Sequence, residues 1–302
     1  MPIVEVNTLR KSYGGRVVVD DVSFEVHEGE IFGIVGPNGA GKTTAVECVS
    51  GLRKPDAGIV RVAGLDPIAD RSAVAELLGT QLQESELQAK LTVREALDLY
   101  ASFYSRPADG ALLAERLGLD GLLGNRFAKL SGGQKQRLFI ALALIGSPRV
   151  VVLDELTTGL DPRGRRDTWA LIEEVRDSGV TVLLVTHFME EAQRLCDRVA
   201  VFDSGRIRAL GSPGELIGQA PGAVVVSFHP SGPLDLAQLE SLPGVVSVRS
   251  AQERVVVEGN EDSIHAVLTL LGSRGLTAER LRIVEATLDD AYLDLTESGR
   301  MP

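Results

Sequence analysis

The stretch "IFGIVGPNGAGKTTAVECVSGL", residues 31–52, decides the fold. Residues 31–36 form a continuous apolar run that indicates a buried strand, and residues 41–52 have the character of a helix. The turn between them has the spacing G-x-x-x-x-G-K-[ST], which predicts a phosphate-binding loop when it joins a strand to a helix. Similar apolar runs at 150–155 and 180–187 predict further buried strands, as in a parallel sheet covered on both faces. The sequence therefore predicts an α/β fold.

The loop itself supplies the first candidate site. Its glycines would let backbone amides face a phosphate without a Cβ in the way. Lys42 is placed to reach the β- and γ-phosphates of a nucleotide, and Thr43 to offer a hydroxyl to Mg²⁺. A glycine-rich turn that binds nothing is the alternative, against which the lysine and both flanking elements argue. The candidate nucleotide-binding residues here are Gly36, Pro37, Asn38, Gly39, Ala40, Gly41, Lys42, Thr43 and Thr44.

Two carboxylates follow the predicted strand "VVVLDE", residues 150–155. The strand delivers Asp154 to its carboxyl end, where ligands gather in open α/β sheets. Asp154 is the candidate partner for Mg²⁺, and Glu155 is the candidate base that orients and deprotonates a water. A solvated pair of carboxylates at the end of a strand is the competing interpretation.

A second glycine-rich stretch, "KLSGGQKQRLFIALALIG" at 129–146, also leads into a helix, predicted over 134–146. The amides at the start of a helix, with the helix dipole behind them, make a site for an anion. An ordinary helix start with a serine N-cap is equally compatible with these residues. The candidate residues are Ser131, Gly132, Gly133 and Gln134.

Five motifs together resemble the ordered set of the ABC ATPases. They are "GPNGAGKTT", "LSGGQKQR", "VVVLDE", "TTGLDP" (157–162) and "VTH" (185–187), within a resemblance that covers residues 3 to about 215. The resemblance implies a P-loop ABC-type ATPase domain that binds ATP and Mg²⁺ and hydrolyses the ATP. It also implies a head-to-tail homodimer, because residues 131–134 of one copy would close over the nucleotide held by the other.

The resemblance implies roles for four more residues. Tyr13 would stack on adenine, and Asp161 would bridge the two chains. His187 would contact the γ-phosphate. Gln83 would sense Mg²⁺ and water, with Gln81 as a competing choice two residues earlier. The chain departs from the family pattern at Leu156, where a proline usually follows the glutamate, and we expect altered loop dynamics there.

Composition shifts predict two domains. The ABC ATP-binding domain is expected over residues 1–215, with a helical insert at about 84–130, and glycine and proline accumulate at 211–222. Residues 222–302 are expected to form a small C-terminal α+β domain. Its elements follow the order β-α-β-β-α-β of a ferredoxin-like unit. In its second predicted helix, Ile264, Val267, Leu268 and Leu271 are expected to form one apolar face.

The net charge and the lengths of the apolar runs argue against a general nucleic-acid-binding protein and against a membrane-spanning one. The net charge of -11 argues against a general grip on nucleic acid, whose phosphates need a basic surface. The longest apolar run, residues 138–145, is too short to span a bilayer. Cys48 and Cys196 are expected to be reduced thiols.

The stretches 186–207 and 286–298 resemble the ATPase subunits of type-2 ABC exporters, of the kind that confers resistance to daunorubicin and doxorubicin. This implies a peripheral protein at the cytoplasmic face of the membrane, which powers drug export through a separate integral membrane permease. The alternative is a soluble ABC ATPase acting on DNA or ribosomes, but such proteins carry two cassettes, coiled coils or basic arms. A nucleotide-binding regulator that does not hydrolyse ATP is disfavoured by Glu155 and His187.

Overall fold

Two units make up the chain, Met1–Leu210 and Gly211–Pro302. The computed structural model describes residues 2–82, 86–218, 224–251 and 254–297. The division falls at the start of the glycine- and proline-rich stretch 211–222, and the short helix that follows residue 212 belongs to the second unit.

The first unit contains two sheets, of three and six strands, over the residues described. In chain order its strands are β1 (Val4–Tyr13), β2 (Arg16–Val26), β3 (Ile31–Val35), β4 (Ala57–Val62), β5 (Leu78–Gln81), β6 (Val150–Asp154), β7 (Thr181–Thr186), β8 (Arg198–Asp203) and β9 (Arg206–Gly211). The larger sheet has the order β5-β6-β7-β3-β8-β9, and β5 to β8 pair in parallel. Every residue of β3, β6 and β7 is buried, which confirms the α/β prediction of a sheet covered on both faces.

The smaller sheet has the order β2-β1-β4 and is antiparallel. We did not predict it from the sequence. Its strands alternate buried and exposed residues and carry several register shifts. Such interrupted alternation gives a weaker signal than the continuous apolar runs of the parallel sheet.

The helices of the first unit are α1 (Lys42–Val49), α2 (Arg71–Ala75), α3 (Val93–Ala101), α4 (Gly110–Arg116), α5 (Gly132–Leu144), α6 (Pro162–Asp177) and α7 (Met189–Leu195). The predicted insert contains α3, α4 and two 3₁₀ turns at Asp120–Leu122 and Phe127–Lys129. Helix α3 begins with a capping box between Thr92 and Glu95, and it buries Val93, Ala96 and Leu97. Such a box satisfies two backbone amides at the helix start. Among the described residues, no helix has the length and apolar character needed to span a membrane.

The second unit is an α+β fold built on one antiparallel sheet. Its elements are α8 (Pro213–Gly218), β10 (Val224–Pro230), α9 (Leu236–Glu240), β11 (Val245–Ala251), β12 (Arg254–Gly259), α10 (Glu261–Ser273), β13 (Ala278–Glu285) and α11 (Leu288–Glu297). The sheet order β11-β12-β10-β13 is that of a β-α-β-β-α-β unit, the arrangement predicted from sequence. Its core includes Val226, Phe228, Val257, Val267 and Leu271.

The predicted apolar face of α10 was wrong at one residue. Leu268 is 39% exposed, whereas Ser263, Val267 and Leu271 are buried. Leu268 lies about 100° further round the helix than Val267, which carries it to the edge of the apolar stripe.

Both cysteines are free and buried in the first unit. Burial raises the pKa of the Cys48 thiol to about 11 and that of Cys196 well above its usual value. The Cys196 sulfur lies so close to Gly33 that a Cβ built there would approach it to 2.7 Å.

Candidate nucleotide-binding site

The phosphate-binding loop leaves β3 and enters α1 at the carboxyl edge of the parallel sheet. Strands β6 and β7 end at the same edge, where Asp154 pairs with Val185 and Val35 with Thr186. This arrangement places the loop, the two predicted carboxylates and His187 at one edge, as expected for ligands of an open α/β sheet.

Within the described residues, the start of α1 has no side-chain cap. Its N-cap Gly41 has a left-handed backbone and no side-chain hydrogen bond, and the first turn carries no acidic residue. A helix start with free N–H groups and no competing negative charge is suited to a phosphate.

Glycine is required at two positions of the loop. Gly41 has φ +98°, and a Cβ built there would lie 2.6 Å from the Val18 carbonyl oxygen. Gly36, with φ +148°, is packed against the Phe202 carbonyl oxygen. In both cases the obstacle is backbone, so a side chain could be accommodated only if the strand behind the loop shifted.

Lys42 lies inside the loop and is only 4% exposed. Its ammonium group donates to the carbonyl oxygens of Gly36 at 2.8 Å and Pro37 at 3.0 Å. Burial lowers the pKa of Lys42, while the negative charges of Glu155 and Asp154 act in the opposite direction. The loop therefore holds its lysine cation on the side that faces both carboxylates.

Asp154 is completely buried at the end of β6. Burial, followed by the charge of Glu155, raises the pKa of this carboxyl to about 6, although Lys42 and the Thr43 hydroxyl partly offset the rise. Within the described ranges, neither carboxylate oxygen has a partner at full hydrogen-bond geometry. A buried carboxylate in this state is costly unless it binds a cation, so Asp154 suits Mg²⁺.

Glu155 follows at the same edge of the sheet, and its side chain is only 6% exposed. Its Oε1 lies 3.2 Å from His187 Nδ1, an ion-pair distance when the ring is protonated. Its backbone N–H donates to the Val185 carbonyl oxygen at 2.9 Å, and its φ is +50°. A left-handed backbone is uncommon for glutamate and aims the side chain out of the line of the strand.

A pocket of about 200 Å³ lies over the loop. It brings together Glu155 and most of the predicted loop residues, and its lining is Val18, Asn38, Gly39, Gly41, Lys42, Thr43, Thr44 and Glu155. Thr43 is exposed at its mouth, and Pro37 and Asn38 form the exposed tip of the loop. The described site predictions outside this lining are Gly36, Pro37, Ala40, Asp154, His187, Ser131–Gln134, Tyr13 and Asp161.

The second glycine-rich stretch does begin a helix, α5, with Ser131 as its N-cap. Ser131 Oγ accepts from the Gln134 N–H at 3.4 Å, and Gln134 Oε1 accepts from the Ser131 N–H at 2.9 Å. The ordinary capping interpretation is therefore observed. Ser131 and Gly132 are nonetheless exposed, so the helix start is accessible from outside.

Tyr13 and Asp161 occupy exposed positions at the ends of elements. Tyr13 closes β1 and is 40% exposed, with Lys11 Nζ 5.5 Å and the Arg53 guanidinium 5.9 Å from the ring centre. Sequence reasoning missed these two cations, although Lys11 stands two residues before the tyrosine. Asp161 is the N-cap of α6 and accepts from the Gly164 N–H at 2.7 Å.

Gln83 lies outside the described residues. The competing Gln81 is buried in β5, where its Oε1 accepts from the Asp154 backbone N–H at 3.2 Å. Gln81 thus supports the strand end that carries Asp154. Leu156, in place of the family's proline, is also buried.

The sequence profile of the family described as "ABC transporter" matches residues 19–158. Among its relatives, the Nod factor export ATP-binding protein I of Burkholderia pseudomallei (strain K96243) is 37% identical over 97% of this chain and 96% of its own length. That of Mesorhizobium japonicum is 38% identical over 95% of this chain and 84% of its own length.

Solved structures give the same result. CbiO1 from Clostridium perfringens, part of the ABC transporter complex cbiONQ, is 28% identical and superposes with a TM-score of 0.66, covering 72% of this chain and 91% of its own. The ADP conformation of the ATP-binding cassette MJ1267 is 27% identical with a TM-score of 0.62, covering 71% and 92%. The chain therefore belongs to the ABC transporter family, as an ATP-binding and ATP-hydrolysing subunit.

Proposed function

We propose that the chain binds Mg²⁺–ATP between two copies of itself and couples its hydrolysis to export through a separate integral membrane permease. The observation that carries this proposal is the meeting of Lys42, Asp154 and Glu155 at one sheet edge, beside a helix start that has no cap of its own.

Several groups at the site would together neutralise the negative charge of the nucleotide. The free N–H groups at the start of α1 and the Lys42 ammonium would bind the phosphates. Asp154 and Thr43 would hold Mg²⁺, which supplies charge neutralisation at the phosphates. No cluster of three or more His, Cys, Asp or Glu side chains suited to a metal occurs in the described part of the chain. The remaining Mg²⁺ ligands would therefore come from phosphate oxygens and water.

Glu155 and His187 would carry the chemical step. Glu155, in the lining of the pocket, would orient a water and accept its proton. His187, at ion-pair distance from Glu155, would contact the γ-phosphate and keep the carboxylate in position. Gln83 would complete this group as the residue that senses Mg²⁺ and water.

The second half of the site would come from the partner copy. Ser131 and Gly132 are exposed at the start of a 13-residue helix and lie outside the lining of their own loop's pocket. A two-fold arrangement would let each copy present this helix start, together with Gly133 and Gln134, to the nucleotide of the other. Asp161 would bridge the two copies, and Tyr13 would stack on adenine.

Export of a drug or other hydrophobic compound is the transport reaction that we propose. Relatives named for Nod factor export match this chain over nearly its whole length. The resemblance of residues 186–207 and 286–298 to drug-resistance ATPases favours a drug as cargo. The chain would then act as a peripheral subunit at the cytoplasmic face of the membrane.

Trapping the closed dimer tests this proposal. Glu155→Gln should bind Mg²⁺–ATP without hydrolysing it, so the mass on gel filtration should double in saturating ATP. Adding Lys42→Ala or Ser131→Arg to this variant should restore the monomer, and Ser131→Arg should spare ATP binding. A Glu155→Gln protein that stays monomeric while saturated with ATP would contradict the sandwich. Co-purification with an integral membrane protein tests the permease.

A further inference from the structure

Helices α6 and α7 are joined by three contacts on one face. Arg165, Trp169 and Glu173 lie four residues apart along α6, so they point the same way. The Arg165 guanidinium lies 4.7 Å from the centre of the Phe188 ring, at the start of α7. The Trp169 indole donates to Glu191 at 2.8 Å, and Glu173 forms an ion pair with Arg194 at 3.4 Å.

The middle contact is the most buried of the three. Glu191 is completely buried and Trp169 is 7% exposed. A buried charged hydrogen bond is strong because its loss leaves the carboxylate without a partner. This contact fixes the distance between the two helices, and the outer pairs fix their register.

The contact between Arg165 and Phe188 lies next to the candidate site. The rings of Phe188 and His187 have centroids 4.1 Å apart, and His187 Nδ1 lies 3.2 Å from Glu155 Oε1. Arg165 Nε is buried without a hydrogen-bond partner in the described ranges, and the ion pair of Arg165 with the exposed Glu190 is long, at 3.6 Å. The face of Phe188 is therefore the main contact of this guanidinium.

We infer that Arg165 is a positioning residue, which holds the His187 ring against Glu155 by clamping Phe188. The same helix begins at Asp161, so the three contacts also make the loop that faces the partner copy and the His187 segment move as one body. This inference rests on the proposed function, since it assigns Arg165 to the site that Glu155 and His187 form.

Hydrolysis by the full chain gives the first test. Arg165→Met should lower kcat about tenfold and leave the KM for ATP unchanged, since small displacements of a reacting group are costly. Arg166→Met is the matched control, because Arg166 is exposed and donates to the Pro162 carbonyl oxygen of its own helix. Phe188→Leu should match Arg165→Met without adding to it, whereas Phe188→Tyr should retain activity. Glu190→Gln should be neutral.

Histidine NMR gives a readout that needs no turnover. Arg165→Met should shift the His187 imidazole resonance, identified by its loss in His187→Gln, while leaving those of His27, His229 and His265 in place. Arg166→Met should shift none of them. If Arg165→Met leaves both the His187 resonance and kcat unchanged, the inference about Arg165 is wrong. The proposed function would still stand, provided that hydrolysis depends on Glu155. If hydrolysis does not depend on Glu155, the proposed function itself fails, and the NMR result then decides the clamp alone.

Discussion

At the scale of single residues, Asp154 links stability to ligand binding. Its pKa is about 6 in the folded chain, above its ordinary value of 3.8. The folded state therefore binds this proton more tightly than the unfolded state, and the free energy of unfolding falls as pH rises from about 4 to 6. Above pH 6 the ionised carboxylate destabilises the nucleotide-free protein.

Asp154→Asn should accordingly stabilise the nucleotide-free protein at pH 7.5 by about 3 kcal/mol, because about two pKa units separate the two states and each unit corresponds to about 1.4 kcal/mol. The melting temperature should rise by a few degrees at pH 7.5 in EDTA, and the difference should vanish near pH 4. The same variant should lose the stabilisation that Mg²⁺–ATP gives to the wild type. A variant that melts lower than the wild type at pH 7.5 would show that the carboxylate is stabilising instead.

Substitutions at two loop glycines distinguish the cost of backbone strain from the cost of steric overlap. Gly39 has φ +81° with open space around its Cα, whereas a Cβ at Gly41 would overlap the Val18 carbonyl. Gly39→Ala should cost roughly 1 kcal/mol for its left-handed backbone alone. Gly41→Ala should cost roughly 3 kcal/mol, because overlap with backbone adds to that strain. Urea unfolding of the nucleotide-free proteins measures both, and equal costs would show that the strand yields easily.

At the scale of elements, strands and helices were predicted best where a single physical signal dominates the sequence. Strands β3, β6 and β7 were predicted to within a residue at each end, because burial on both faces makes every position apolar. The three-stranded sheet was missed because its strands mix buried with exposed residues. The contacts between α6 and α7 could not be predicted either. They join residues 20 or more positions apart, and one sequence carries no signal for such pairs.

The Trp169–Glu191 hydrogen bond allows a test of this helix pair. Trp169→Phe should lower the free energy of unfolding by roughly 2–3 kcal/mol, because it leaves the buried Glu191 carboxylate unpaired. Glu191→Gln keeps an acceptor for the indole and removes the charge, so its stability should stay within about 1 kcal/mol of the wild type. Chemical unfolding followed by circular dichroism measures both. A Trp169→Phe protein as stable as the wild type would mean that the hydrogen bond contributes nothing.

At the scale of the whole molecule, the second unit has a core of its own, around Phe228, Val257, Val267 and Leu271. Residues 211–302 alone should therefore fold and unfold cooperatively, as followed by circular dichroism. Phe228→Ala in this fragment should cost about 3 kcal/mol, since Phe228 is fully buried. A fragment that shows no cooperative transition would mean that its fold depends on the first unit.

The candidate site was predictable in its parts more than in its assembly. Motif spacing identified the loop, Asp154 and Glu155, and the family resemblance added His187. Each of these stands at the end of a strongly apolar strand. The pKa of Asp154, the internal hydrogen bonds of Lys42 and the contacts of His187 with Phe188 and Glu155 depend on packing across the sheet edge. The roles that we propose for Ser131 and Asp161 would need a second copy, and within one chain both residues are helix N-caps.

The two buried thiols have a practical consequence. Because Cys48 and Cys196 are enclosed and resist ionisation, an alkylating reagent can reach them only after the first unit opens. The rate of alkylation therefore reports on that opening. A cysteine introduced on the surface would react long before either native one, so spin labels and fluorophores could be attached to the natural chain at a chosen point.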